Sequence, residues 1–223
     1  MIPGLVFVLF IAVLDWIAVA RNWRKVELLA KPATMVALFL VFAMVGRFSS
    51  SPLWCFGAGI VFSLGGDIFL LLSDRWFIAG LFVFLLGHLS YITGFNLHFP
   101  VVSPFWSIGI AFVLALVLWR ILGKIISGIK EKGFHQLIIP VVVYGTVISI
   151  MLFSAMLTVF RQEWKSNAAM LACLGAFLFY VSDIILAWNK FVAPIRNGRI
   201  ANMITYNLGQ IALIAGVLIQ FSK

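Results

Sequence analysis

Two stretches decide the fold: Ser63-Leu64-Gly65-Gly66-Asp67-Ile68-Phe69-Leu70-Leu71-Leu72 and Tyr180-Val181-Ser182-Asp183-Ile184-Ile185-Leu186-Ala187. Each sets one carboxylate inside an apolar run that carries no other charge. A helix on the surface of a soluble domain shows an apolar stripe and a polar face. These segments are apolar nearly all round, and each belongs to a run that reaches the ~20 residues a bilayer-spanning helix needs. They describe a membrane protein with acid groups embedded in its helices.

The rest of the chain agrees. Of 223 residues, 64% are hydrophobic and 10% charged, a composition far from that of soluble domains. Apolar runs near residues 2–20, 33–49, 52–72, 76–95, 102–122, 136–160, 166–188 and 200–221 predict a bundle of about eight transmembrane helices in one domain over 1–223. The first run is followed by Arg21, Arg24 and Lys25 without a small-residue cleavage site, so it reads as a retained span. Cys55 and Cys173 lie in apolar stretches without metal or disulfide spacing and read as packing residues.

The formal charge of +9 could indicate nucleic acid, but the basic residues fall in the short gaps between spans rather than on one face. They therefore report topology. With the N-terminus outside, inner loops hold 12 of the 16 basic residues: Arg21, Arg24, Lys25, Lys31, Arg75, Arg120, Lys124, Lys130, Lys132, Lys190, Arg196 and Arg199. Arg47, Arg161, Lys165 and Lys223 remain outside. The excess on cytoplasmic loops predicts both termini on the non-cytoplasmic side, in the plasma membrane if the source is bacterial.

A short internal repeat accompanies this pattern. Asp67-Ile-Phe-Leu leads through Arg75 to Tyr91, while Asp183-Ile-Ile-Leu leads through Lys190 to Tyr206. Either the first and last four helices are parallel repeats around a shared site, an arrangement known among transporters, or apolar helices resemble each other by chance.

An ionisable group at the centre of a span costs ~2.5–3.5 kcal/mol on insertion scales and tends to face the bundle interior. Asp67 and Asp183 each lie about six residues from the inner end of their helices, roughly 9 Å deep at 1.5 Å per residue. Matching depth makes them candidate catalytic groups. The competing reading is that they bond neighbouring helices as packing glue. Asp15, at similar depth, reads as an interfacial partner of Arg21 and Arg24. His88 and Tyr91 share a helix face that borders Gly80, Gly87 and Gly94, a stripe permitting close packing. On the last helix Asn202, Tyr206 and Gln210 form a polar stripe that suits a wet cavity better than hydrocarbon, with Asn207 beside it. Lys31, before Pro32 at an expected helix start, reads as a topology charge or a phosphate ligand. No G-x-S-x-G or HExxH pattern occurs, so neither acyl transfer nor a metal is indicated.

Taken together, Lys31-Pro32, Gly66-Asp67, His88-Leu89-Ser90-Tyr91, Ser182-Asp183-Ile184-Ile185-Leu186-Ala187 and Tyr206-x-x-x-Gln210 resemble the YhhN-type lysoplasmalogenase family, in order and spacing over nearly the whole chain. Asn207 departs from the second tyrosine frequent in that family. The resemblance implies hydrolysis of the vinyl ether bond of a lysophospholipid, without cofactor or nucleic acid. Such a reaction needs a proton donor and an anion facing an oxocarbenium ion, as in glycosidases. Asp67 and Asp183 are the expected catalytic pair. His88, Tyr91, Ser182, Asn202, Tyr206 and Gln210 would position water or substrate, and Lys31 and Lys190 would hold the headgroup. A transporter using the same aspartates for protons or a cation is the alternative, and a scaffold without chemistry a third.

Overall fold

The computed structural model describes residues 1–97 and 102–222; Lys223, expected on the outer side, lies outside them. Eight helices among these residues are long and apolar enough to cross a membrane. They are α1 (Ile2–Ala20), α2 (Arg24–Gly46), α3 (Ser51–Leu72), α4 (Phe77–Asn96), α5 (Pro104–Glu131), α6 (Ile138–Leu157), α7 (Ser166–Phe191) and α8 (Gly198–Phe221). Prolines in the first turns of α1, α3 and α5 occupy positions where a missing N–H is harmless. Asn22, Arg47, Phe48 and Asn197 take positive φ where the chain reverses.

One boundary differs from the expectation. α2 starts at Arg24, not near residue 33, so Pro32 lies inside the helix and Lys31 is two turns into it. The charged residues Arg24, Lys25, Glu27 and Lys31 hide the first third of the span from a hydropathy reading. α5 likewise runs past residue 122 to Glu131.

The helices alternate as the charge pattern requires. At one end, Arg24 donates to the Leu71 carbonyl, Lys190 pairs with Asp74 and Arg199 pairs with Glu27. At the other, Arg161 donates to Asn96 and Lys165 to the Ile219 carbonyl.

Two helix pairs are the most intimate, α3 with α4 and α7 with α8. Glycine sets both. A Cβ on Gly175 would lie 2.2 Å from the backbone nitrogen of Leu213, and one on Gly209 would lie 2.8 Å from that of Phe179. In a bilayer, where apolar surface gains little by leaving lipid, such close approach is a principal source of association. α8 is the core helix, 56% of its most apolar stretch buried, whereas no residue in the corresponding stretch of α5 is more than partly buried.

The halves pack correspondingly: α1 on α2 and α5 on α6, α2 on α3 and α6 on α7, α2 on α8 and α6 on α4. The correspondence is incomplete. α1 closes against α8, but α5 rests on α6 and α7 without a matching seam to α4 among the described residues. An apolar pocket lies where that seam is missing, lined from α4, α5, α6 and α7.

Candidate functional site

Asp67 is 1% exposed, and each of its oxygens has a partner. Lys31 Nζ of α2 lies 3.0 Å from Oδ1, and the Tyr206 hydroxyl of α8 donates to Oδ2 at 2.7 Å. A buried ammonium without a counter-ion would be far more expensive than the pair. Lys31 thus does not stand free at the interface: it neutralises Asp67, 5.9 Å from the Tyr206 ring centre.

Asp183 is held differently. Tyr144 of α6 donates to Oδ2 at 2.5 Å, and His88 Nε2 of α4 lies 3.4 Å from the same oxygen and 2.9 Å from the Tyr144 hydroxyl. A phenol has one proton. With that proton turned toward Asp183, His88 must donate from Nε2 to the phenol oxygen, and its Nδ1 has no partner among the described residues. Oδ1 of Asp183 has no hydrogen-bond partner among them either, and Asp183 and Tyr144 supply polar groups to the wall of the apolar pocket.

The two centres correspond by position. Asp67 on α3 receives Lys31 from α2 and Tyr206 from α8; Asp183 on α7 receives Tyr144 from α6 and His88 from α4. Each aspartate is therefore held by the preceding helix of its own half and by the last helix of the other. The carboxylates share no hydrogen bond. Between them run the rings of Tyr206, Phe179 and His88, with centroids 5.2 and 4.8 Å apart, so the two carboxyls form separate centres.

The remaining expected residues fall into three groups. Tyr91 donates to Gln210 Oε1 at 2.9 Å and touches neither aspartate, while Gln210 Nε2 has no partner among the described residues. Ser182 and Asn202 lock α7 to α8, Asn202 Nδ2 donating to the Ser182 carbonyl at 2.7 Å and to its hydroxyl at 3.0 Å. Lys190 forms a 2.7 Å pair with Asp74 and lies 4.4 Å from the Phe77 ring centre.

Asp15 departs from its expected interfacial place. It is fully buried, and Asn207 Nδ2 approaches its Oδ2 at 3.3 Å. Arg24 pairs instead with Glu27, at 3.4 Å.

Tyr144 was absent from the sequence candidates. The available signal was compositional, since the chain has 22 phenylalanines but only 4 tyrosines, and a phenol kept inside a span needs a polar partner. A polar vestibule of about 230 Å³ was also unforeseen; Lys31, Glu27, Asp74, Lys190 and Arg199 line it. Phe77 and Leu186 belong to the walls of both this vestibule and the apolar pocket.

Fold and site together define a polytopic helical membrane protein with two buried carboxylate centres, one of them open to an apolar pocket beside a charged vestibule. The chain belongs to the YhhN family, whose sequence model matches residues 26–217. It is similar to the mouse lysoplasmalogenase TMEM86B, at 27% identity over 91% of this chain and 80% of that protein. It is also similar to a lysoplasmalogenase homologue of Dictyostelium discoideum, at 27% over 71% and 61%, and to human lysoplasmalogenase TMEM86A, at 32% over 68% and 60%. The match thus spans about three fifths of the last two proteins. No solved structure shows a significant match.

Proposed function

We propose that this protein is a lysoplasmalogenase: it hydrolyses the vinyl ether bond of a lysoplasmalogen to a fatty aldehyde and glycerophosphoethanolamine or glycerophosphocholine. The observation that carries the reading is the Asp183 carboxyl, braced on one oxygen by Tyr144 and His88 and belonging to a residue that lines an apolar pocket.

In the reaction, Asp183 Oδ1 gives its proton to the distal vinyl carbon, and the π electrons form the new C–H bond, leaving an oxocarbenium ion at the carbon bound to oxygen. Tyr144 and His88 stabilise the carboxylate that forms, an interaction stronger in the transition state than before it. Water adds to the cationic carbon and returns a proton to Asp183. The resulting hemiacetal loses the glycerol oxygen as an alcohol and becomes the aldehyde. Asp67, ion-paired with Lys31, fixes that ammonium rather than sharing the proton. The roles thus divide, Asp183 as acid and Asp67 as the counter-ion of Lys31.

The lipid tail lies in the pocket where α5 leaves α4 unsealed, and the headgroup lies in the vestibule. Lys31 keeps N–H donors beyond the one on Asp67, and Lys190 stands at the rim; both serve the phosphate. The excess of basic residues at this end supports a vestibule on the cytoplasmic side, with both termini opposite. Asp183 and Lys190 are seven residues apart on α7, about 10 Å, a span suited to the glycerol bridge between ether and phosphate.

The test is aldehyde release from a lysoplasmalogen by the detergent-solubilised protein with no ion gradient. Turnover there, lost in Asp183→Asn, supports the hydrolase; a folded protein that forms no aldehyde refutes it and favours a carrier.

A further inference from the structure

The vestibule holds more than a phosphate requires. Four cationic side chains, Arg24, Lys31, Lys190 and Arg199, share it with two carboxylates, Glu27 and Asp74. A site for a simple anion gains nothing from carboxylates, which would repel the ligand. The carboxylates also differ in commitment. Glu27 is 6% exposed and takes both oxygens of its group to Arg199, at 2.9 and 3.0 Å. Asp74 lies in the turn between α3 and α4 with its side chain 96% exposed, held only through Oδ1 by Lys190 among the described residues.

Resting on the hydrolase reading above, we infer that the Lys190–Asp74 pair opens to receive a zwitterionic headgroup, Lys190 taking the phosphate and Asp74 the ammonium, and that the ammonium selected is a primary one. An exposed ion pair contributes little to stability, so exchanging it for a complementary zwitterion costs little. The selection follows from hydrogen bonding. A primary ammonium donates to carboxylate oxygen, whereas a quaternary ammonium has no N–H and is held best by aromatic faces. Among the described residues Phe77 is the one aromatic in the vestibule wall, and Lys190 already lies 4.4 Å from its ring centre. The vestibule therefore suits ethanolamine better than choline.

The experiment measures binding of saturated alkyl ether lysolipids, which lack the vinyl bond, with ethanolamine, choline or bare phosphate headgroups, beside turnover of the vinyl ether forms. The unmodified protein should bind the ethanolamine lipid about threefold tighter than the choline lipid, as expected for one exposed ion pair. Asp74→Asn should remove that difference, the ethanolamine lipid losing its advantage over choline, while the choline and phosphate lipids bind no more weakly than before because Lys190 is released from its pair. Equal binding of ethanolamine and choline by the unmodified protein, or an equal loss for all three lipids in Asp74→Asn, overturns the inference even where vinyl ether lipids are hydrolysed. Selective binding with no aldehyde from any lipid would refute the hydrolase reading and leave the headgroup site standing.

Discussion

Lys31 shows how one side chain can change meaning between sequence and structure. Read alone it is a positive charge near the end of a span; in the fold its ammonium is 3.0 Å from a carboxylate that no other cation among the described residues contacts. Removing one partner of a buried ion pair strands the other at about 3–5 kcal/mol, whereas replacing both by apolar groups is often tolerated. Lys31→Met should therefore lower the thermal unfolding midpoint in detergent sharply, and the double variant Lys31→Met/Asp67→Leu should recover most of the loss. Additive losses would show that the pair is not the unit. Tyr144 allows a test of the acid. Tyr144→Phe keeps the ring and removes the donor to Asp183; a hydrogen bond to a charged group contributes about 1.5–3 kcal/mol, so kcat should fall about ten- to a hundredfold with KM little changed. A fall in affinity at constant kcat would instead make Tyr144 a binding residue.

At the scale of elements, glycine placement decides which helices touch. Gly175 faces backbone on α8, whereas a Cβ added to Gly109 on α5 would meet nothing within 4 Å among the described residues. Gly175→Ala should destabilise by about 1–3 kcal/mol or more, as overpacking does, while Gly109→Ala should be neutral or gain about 0.5–1 kcal/mol of helix propensity. Comparing unfolding midpoints of the two variants checks this, and equal effects would contradict the packing account. The spans themselves were legible because each runs near the length of a bilayer. The start of α2 was not, since Arg24, Glu27 and Lys31 serve the vestibule and so break the apolar run. Tyr144 was hidden for a related reason: its partners come from α4 and α7, and no spacing within α6 announces them.

For the whole molecule, the internal repeat seen as Asp67-Ile-Phe-Leu and Asp183-Ile-Ile-Leu extends beyond the motif. The donor sets of the two aspartates come from corresponding helices, although the donors are unlike: lysine and tyrosine on one side, tyrosine and histidine on the other. Short-range similarity could expose the aspartates and not this exchange across halves, because Tyr206 reaches Asp67 from 139 residues away. Where α5 is left unsealed from α4, one of the departures from correspondence, the apolar pocket forms. Leu122 lies in its wall, so Leu122→Trp should shift the preferred aldehyde chain toward shorter lengths while sparing short-chain turnover. An unchanged chain-length profile would place the tail elsewhere.

Whether Asp183 protonates a vinyl ether in this pocket is decided by mass spectrometry of aldehyde released in detergent from a lysoplasmalogen and from its saturated alkyl ether analogue. Aldehyde should come from the vinyl ether alone, with turnover reduced about 10²–10⁴-fold in a folded Asp183→Asn variant, the span typical of a lost general acid. Full turnover by Asp183→Asn, or no aldehyde from the unmodified protein, would contradict that chemistry.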